Sequence, residues 1–210
     1  MMKKRDQQII NDLARFRVMS RDDIVDLYFS HLKNPITNAN TVLKRMVRDN
    51  HIEVSKSFSP YVYFPYNSTM KRNSTKIPHF LRIVDIYKQL KQYINVSKFE
   101  VEPKFQKGLA EPDIFTTIKG TPFFIEIQRN VYSQKVMDKK MQRYESLCYS
   151  EEFSAFPFII LITDTRYKIS SDVITVFQVP TIHEFMKNIQ KKEKPKTRES
   201  YTGGIKFRIG

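Results

Sequence analysis

The chain has 210 residues, a length that fits one large domain or two small ones and can bury a hydrophobic core. Hydrophobic residues make up 40% of the sequence and aromatic residues 13%, which excludes an intrinsically disordered composition. There are 36 Lys and Arg residues against 22 Asp and Glu, so the net charge is +14. A chain this basic indicates a polyanionic partner, either nucleic acid or an anionic membrane surface.

Several other protein classes are excluded by composition. The single cysteine, Cys148, excludes an intramolecular disulfide, and four scattered histidines argue against a structural zinc site. The longest apolar run, 156–162, is interrupted by Pro157 and is far shorter than the ~20 residues of a membrane-spanning helix. The charged start has no apolar stretch behind it, unlike a secretory signal. We therefore expect a cytoplasmic protein without a membrane partner.

The positive charge is concentrated at the two ends of the chain. Residues 1–78 contain 14 Lys and Arg against 7 Asp and Glu, and residues 187–210 contain 8 against 2. Residues 79–186 are nearly neutral, with 14 basic and 13 acidic residues. The polar stretch 67–76, with Pro78 after it, has the composition of a linker. We predict four parts: a basic N-terminal unit at 1–66, a linker at 67–78, an α/β unit at 79–190 and a basic flexible tail at 191–210.

The N-terminal unit contains three predicted helices. Apolar residues at helical spacing predict a first helix at 6–17. Ser20 is a favourable N-cap for a second, short helix, with Asp23 three residues later as a weak capping box. Turn residues at 34–38 separate it from a third helix at 38–49, which has one apolar side and one polar, basic side.

A predicted β-hairpin follows the third helix, with strands at 52–56 and 61–64 around a turn at 58–60. Together with the run at 43–52, Leu-Lys-Arg-Met-Val-Arg-Asp-Asn-His-Ile, this order resembles the winged helix-turn-helix family. The resemblance implies that the third helix is a recognition helix and that the hairpin is the wing. The polar side of the third helix would then enter the major groove of double-stranded DNA, which is about 12 Å wide.

Seven side chains are the candidate DNA contacts of this unit. Asparagine and threonine near the start of the helix can reach base edges, whereas lysine and arginine further along can contact phosphates or guanines. A basic helix side is also what an ordinary solvated surface presents. The candidates are Asn38, Asn40, Thr41, Lys44, Arg45, Arg48 and, on the wing, Lys56.

The second unit has the predicted element order αβββαβ, followed by βα. We therefore expect an α/β unit here, and an α+β protein overall. Helical periodicity and strand patterns place these elements along the chain. The predicted helices are 79–92, 133–147 and 181–189, and the predicted strands are 99–105, 113–118, 123–128, 158–163 and 173–179.

Two acidic residues stand at the ends of neighbouring predicted strands. Pro112-Asp113 opens the second strand, and Glu126-Ile127-Gln128 ends the third. With the αβββαβ order, these residues resemble the PD-(D/E)xK nuclease superfamily. The resemblance implies that Asp113 and Glu126 bind Mg²⁺ for phosphodiester cleavage. Hairpin geometry also predicts that the two carboxylates lie side by side, since they flank the turn at 119–122.

The sequence departs from the nuclease pattern at Gln128, which stands where that superfamily has lysine. Glutamine can donate hydrogen bonds but lacks the charge that stabilises the transition state. Lys135 and Lys139, one turn apart on the next predicted helix, are alternative sources of that charge. The structural alternative is that Asp113 is a loop acid at the start of a strand, and that Glu126 is a buried or edge acid that pairs with Arg129 or Lys135. The candidate catalytic residues are Asp113, Glu126, Gln128, Lys135 and Lys139.

The pairing of the two units resembles the replication-relaxation family of Gram-positive plasmids, phages and conjugative elements. The run at 124–129, Phe-Ile-Glu-Ile-Gln-Arg, and Lys140 with Tyr144 in the following helix also carry this resemblance. It implies an accessory DNA-binding role in replication, relaxation or mobilisation, with replication or relaxosome proteins as partners.

Three function classes remain open at this point. The first is a non-catalytic accessory protein that binds double-stranded DNA and has a degenerate nuclease-like unit. The second is a Mg²⁺-dependent endonuclease or nickase that the winged helix guides to its site. The third is an interaction module whose second unit forms a homodimer. Only the second class requires DNA cleavage that depends on a divalent cation.

Overall fold

The computed structural model describes residues 2–150 and 152–193, which form a mixed α/β structure with six helices and two sheets. No helix in these residues is long and apolar enough to cross a membrane. The predicted tail lies almost entirely outside them. The elements are α1 (Lys4–Phe16), β1 (Met19–Ser20), α2 (Arg21–Tyr28), α3 (Pro35–Arg48), β2 (Ile52–Ser55), β3 (Val62–Pro65), α4 (Ile77–Lys91), β4 (Phe99–Val101), β5 (Ile114–Ile118), β6 (Thr121–Ile127), α5 (Gln134–Cys148), β7 (Phe158–Ile162), β8 (Val176–Val179) and α6 (Ile182–Glu193).

The first half combines α1, α2 and α3 with a three-stranded antiparallel sheet in the order β1-β3-β2. The predicted hairpin is present, and its register pairs Ile52 with Pro65 and Ser55 with Val62. The short strand β1 lies between α1 and α2 in the sequence and pairs with the other edge of β3. Sequence reasoning missed β1 because two residues show no measurable periodicity.

Local sequence explains where these helices begin. Ser20 and Asp23 form a complete capping box at the start of α2, in which each side chain bonds to the other residue's backbone N–H. α3 begins at Pro35, earlier than predicted, since proline is favoured in a first turn where no N–H donor is required. The buried side of α3 presents Leu43 and Met46, and its other side is exposed.

The second sheet has five strands in the order β4-β5-β6-β7-β8. β4, β5 and β6 form an antiparallel meander, whereas β6, β7 and β8 run parallel to one another. The strand predicted at 99–105 ends already at Val101. The reason is local, because Glu102 has a φ of 46° and Pro103 cannot donate a ladder hydrogen bond.

Helices cover both faces of this second sheet. α4 and α6 pack on one face, and α5 packs on the other. Alternate residues of β6 belong to the two sides, so Phe124 lies in the α5 layer and Ile125 in the layer of α4 and α6. By the same alternation, Glu126 faces α5.

One hydrophobic core joins the two halves of the structure. It extends from Ile9 of α1 through Phe80 of α4 to Met186 of α6. α4 contacts α1, α2 and β1 as well as α6 and β6. Met70, in the predicted linker, packs against the same core. The helix that opens the predicted second unit is therefore also a packing surface for the first.

Candidate functional site

The exposed side of α3 carries a row of polar side chains. Asn38, Asn40, Thr41 and Lys44 are all exposed, as the helical pattern predicts. Asn38 and Thr41 each donate a hydrogen bond to a helix carbonyl one turn earlier, at 2.7 and 3.0 Å. Each bond uses one donor, so the acceptor oxygens of both exposed side chains and the second amide N–H of Asn38 remain able to bond to a ligand. The row can therefore present both donors and acceptors to a ligand.

A pocket of about 600 Å³ lies between α3 and the hairpin. Asn40 and Lys44 line it from α3, Lys56 and Tyr61 from the hairpin segment, and Arg21 from the start of α2. We call these five residues the α3–hairpin surface. Three of the five are cationic, and Tyr61 offers an aromatic ring that is about half exposed (46%). This combination suits a polyanion with flat apolar groups, as nucleic acids are.

The two arginines of α3 have partners inside the protein. Arg45 pairs with Asp6 of α1, which is only 2% exposed, so Arg45 ties α3 to α1. Arg48 pairs with its neighbour Asp49 at 2.8 Å but is 73% exposed. A solvent-screened surface pair of this kind contributes little to stability, and a DNA phosphate can replace Asp49 as the partner of Arg48. Of these two candidate DNA contacts, only Arg45 therefore has a clear structural role.

The structure brings Asp113 and Glu126 together. Ile114 pairs with Ile125 across β5 and β6, and the same register continued by one residue puts Asp113 opposite Glu126. Opposed residues in antiparallel strands have Cβ atoms about 5 Å apart. Asp113 Oδ2 also accepts a 2.7 Å hydrogen bond from the backbone N–H of Ile127.

Glu126 is fully buried, and both of its carboxylate oxygens bind side chains of α5. Lys140 Nζ donates to Oε2 at 2.5 Å, and the Tyr144 hydroxyl donates to Oε1. Burial raises the pKa of Glu126 to about 7; Lys140 opposes this rise, and the nearby Asp113 carboxylate adds to it. The carboxylate is thus held between one acidic and one basic neighbour.

The pKa values of the two α5 partners are shifted as well. Burial disfavours the Lys140 ammonium, but the Glu126 carboxylate outweighs burial and raises the pKa of Lys140. Burial and the same carboxylate raise the pKa of Tyr144 well above its ordinary value. At neutral pH Lys140 is therefore a cation and Tyr144 a neutral hydrogen-bond donor.

The other predicted catalytic residues lie around this pair. Gln128 follows β6 and donates from Nε2 to the Tyr167 hydroxyl; its Oε1 is buried without a hydrogen-bond partner in the part of the chain that the structure describes. Lys135 and Lys139 are exposed on α5. Lys139 lines a pocket of about 560 Å³ that Glu126 also lines. The lysine that reaches Glu126, however, is Lys140.

Three further residues of this site differ in how far the sequence alone indicates them. Lys140 and Tyr144 are four residues apart, so they share one side of α5, and a buried acid requires such partners. That spacing could have identified them as partners of Glu126. His79 lies at the start of α4, with Nε2 3.3 Å from Asp113 Oδ1. No local pattern could have found it, because the contact spans 34 residues of chain.

The side chains at this position do not fit a divalent cation. Mg²⁺ takes oxygen ligands, commonly from carboxylates and water. Both oxygens of Glu126 already accept hydrogen bonds from α5, and Asp113 is engaged by a backbone N–H and by His79. Over the described ranges, no group of three or more His, Cys, Asp and Glu side chains could hold a metal ion. A Mg²⁺ ion here would have to displace the Lys140 ammonium.

Comparisons with known proteins leave the function to be inferred from the residues themselves. No protein-family model matches the chain, and no curated protein matches it significantly.

Proposed function

We propose that this protein binds double-stranded DNA through the α3–hairpin surface. In this proposal residues 1–66 form a winged helix-turn-helix unit, with α3 as the recognition helix and the β2–β3 hairpin as the wing. The observation that carries it is the exposed polar row on α3 beside a pocket lined by Arg21, Lys44 and Lys56. Lysine and arginine attract the phosphate backbone, and an amide such as Asn40 can read a base edge.

The charge distribution supports the same surface. Residues 1–78 carry a net charge of +7, from 14 basic and 7 acidic residues, and this sum already includes the Arg45–Asp6 pair. An excess of positive charge on one unit steers a protein to DNA and strengthens binding at low salt. The cellular role we propose is that of an accessory protein in replication, relaxation or mobilisation of a plasmid, phage or conjugative element.

For the second half we propose a nuclease-like unit of the PD-(D/E)xK type that no longer cleaves DNA. The antiparallel β4-β5-β6 meander followed by parallel β7, with helices on both faces, supports this assignment. Gln128 at the lysine position and Lys140 against Glu126 support the loss of cleavage. A Mg²⁺-dependent endonuclease is the alternative, and incubation of supercoiled plasmid with Mg²⁺ or Mn²⁺ separates the two.

The DNA-binding proposal is tested by fluorescence anisotropy with labelled duplexes at several salt concentrations. Lys44→Ala should weaken binding to all sequences and reduce the salt slope by about 1, because one phosphate contact is lost. Asn40→Ala should cost about 1 to 3 kcal/mol on a preferred sequence and little on others. Lys91→Ala, which removes an exposed lysine from the far end of α4, is the matched control.

The expected result is a loss of affinity in Lys44→Ala with unchanged binding in Lys91→Ala. Equal binding by wild type and Lys44→Ala at every salt concentration would exclude the α3–hairpin surface as the contact. Equal losses in both lysine variants would indicate attraction by net charge alone.

A further inference from the structure

The buried carboxylate of Glu126 lies next to the carboxylate of Asp113, and two adjacent negative charges are stable only with a positive charge nearby. Asp113 and Glu126 are opposed across β5 and β6, so two negative charges lie close together next to the core. In a low-dielectric site, such a pair is stable only with a cation or a proton between or beside the groups. The identity of that cation decides what the site can do.

The protein supplies this cation from its own chain. Lys140 Nζ contacts Glu126 Oε2 at 2.5 Å, and the Lys140 side chain is 30% exposed while that of Glu126 is 1% exposed. The ammonium therefore lies between the buried carboxylate and solvent. Tyr144, one turn further along α5, binds the other oxygen of Glu126. A hydrated metal ion that approaches from the surface meets the ammonium first.

The rim of the pocket adds to the barrier. Lys139 and Arg143 line the same pocket as Lys140 and Glu126, and one acidic residue of the rim, Glu111, is paired with Lys104 at 3.0 Å. Repulsion by several nearby cations lowers the local concentration of Mg²⁺ or Mn²⁺. The pocket is therefore unfavourable for divalent cations at its mouth as well as at its base.

We propose that the Lys140 ammonium occupies the cation position of the Asp113–Glu126 pair, and that the two carboxylates form a latent divalent-metal site which this lysine blocks. Removal of the ammonium leaves two adjacent carboxyl groups, whose proton a divalent cation can displace, together with the Tyr144 hydroxyl and a solvent-connected pocket that can hold metal-bound water. These are hard oxygen ligands of the kind that Mg²⁺ and Mn²⁺ prefer. The proposal does not depend on DNA binding by the α3–hairpin surface.

The test measures Mn²⁺ binding to the full chain without DNA, by electron paramagnetic resonance of free Mn²⁺. Wild type should bind no Mn²⁺ at this site. Lys140→Met keeps most of the side-chain volume but removes the charge, and it should bind one Mn²⁺ per chain and unfold at a higher temperature when Mn²⁺ is added. Adding Asp113→Asn to that variant should abolish both effects. Lys139→Met removes a cation from the rim only and should behave as wild type.

Either of two results would overturn the proposal. One is a folded Lys140→Met protein, checked by circular dichroism, that binds no Mn²⁺. The other is wild type that binds one Mn²⁺ which is lost in Glu126→Gln. If Lys140→Met does not fold, wild type with labelled lysine is examined by nuclear magnetic resonance. Added Mn²⁺ should leave the Lys140 signal sharp. Selective broadening of that signal would refute the proposal that Lys140 blocks the metal site. Because DNA is absent throughout, failure of the DNA-binding proposal is a separate result.

Discussion

Lys44 and Arg45 are neighbours in α3, yet their side chains have different surroundings. Lys44 is exposed beside the hairpin, whereas Arg45 turns toward α1 and pairs with the buried Asp6. Asp6 has a second partner in Arg5 at 3.1 Å. A count of basic residues on a helix therefore overstates the number available to a ligand, because one of them can already be paired with a buried acid of another helix.

We expect Arg45→Ala to reduce the free energy of unfolding by about 1 to 3 kcal/mol, because it removes a charged partner from the buried Asp6. Urea unfolding followed by circular dichroism measures this change. Arg48→Ala is the control, since its pair with Asp49 is solvent-exposed and should change stability by less than about 0.5 kcal/mol. Equal losses in the two variants would contradict a structural role that is special to Arg45.

The raised pKa of Glu126 makes stability depend on pH. The pKa is about 7 in the folded protein and about 4.3 in an unfolded chain, so the folded state retains a proton that the unfolded state releases between these values. The stabilising effect of that proton is full below about pH 4.3 and is lost as the pH rises through 7. The loss amounts to about 4 kcal/mol at most, since a tenfold change in acidity is worth about 1.4 kcal/mol.

Glu126→Gln removes this titration. The variant also loses the Lys140 partner, but that cost is the same at every pH. We therefore expect the free energy of unfolding of Glu126→Gln, relative to that of wild type, to increase as the pH rises from about 5 to about 8. Urea unfolding at both pH values measures the difference in free energy of unfolding between each variant and wild type. Glu184→Gln, which changes an exposed carboxyl group, should show the same difference at both pH values. A Glu126→Gln difference that does not change with pH would refute the raised pKa.

At the scale of elements, caps and turns determine where helices begin and strands end. Ser20 starts α2 through its capping box, Ser133 starts α5 by accepting a bond from the Val136 N–H, and Thr181 does the same for the Glu184 N–H before α6. All three caps follow from sequence, because they are short polar side chains just before an apolar periodic run.

Replacement of one such cap should have a defined cost. We expect Ser20→Ala to reduce the free energy of unfolding by about 1 kcal/mol, because the Asp23 N–H at the start of α2 loses its acceptor. Thermal unfolding by circular dichroism measures the effect. Ser57→Ala, at an exposed position after β2, should leave the midpoint unchanged. An unchanged midpoint in Ser20→Ala would mean that water replaces the cap without loss.

At the scale of the whole molecule, the two halves share one core and two bridging sets of ion pairs. Arg17 of the first half pairs with Glu102 of the second at 2.9 Å. Lys88 of α4 pairs with Asp23 and Asp26 of α2 at 2.7 and 2.8 Å. The core itself is continuous from α1 to α6. These contacts couple the folding of the two halves.

We therefore predict a single cooperative unfolding transition. A fluorophore on Cys148 reports on the second half, and a fluorophore on Lys33→Cys in a Cys148→Ser background reports on the first. Both labels and circular dichroism should give the same urea midpoint, since coincident transitions are the mark of two-state unfolding. An earlier transition at position 33 would instead show that the first half unfolds as an independent unit.

Most of the secondary structure was predictable from sequence, because it depends on patterns within a dozen residues. Apolar spacing indicated the six helices of the described residues, and strand patterns, including the continuous apolar run of β7, indicated the strands of both sheets except β1. The juxtaposition of Asp113 and Glu126 also followed from a local rule, since a tight turn fixes the register of the strands on either side. The polar row on α3 is likewise a matter of helical spacing.

The tertiary structure alone decided which charges are paired. Asp6 with Arg45 and Asp113 with His79 are contacts between elements distant in sequence, and periodicity does not encode their partners. Helical spacing puts Lys140 and Tyr144 on one side of α5, but only packing brings that side against Glu126. The physical reason is that a buried charge must find a partner wherever packing offers one. Sequence by itself determined a basic α/β protein with an acidic pair on one sheet. Only packing determined that Lys140 of α5, and not Lys135 or Lys139, lies against that pair.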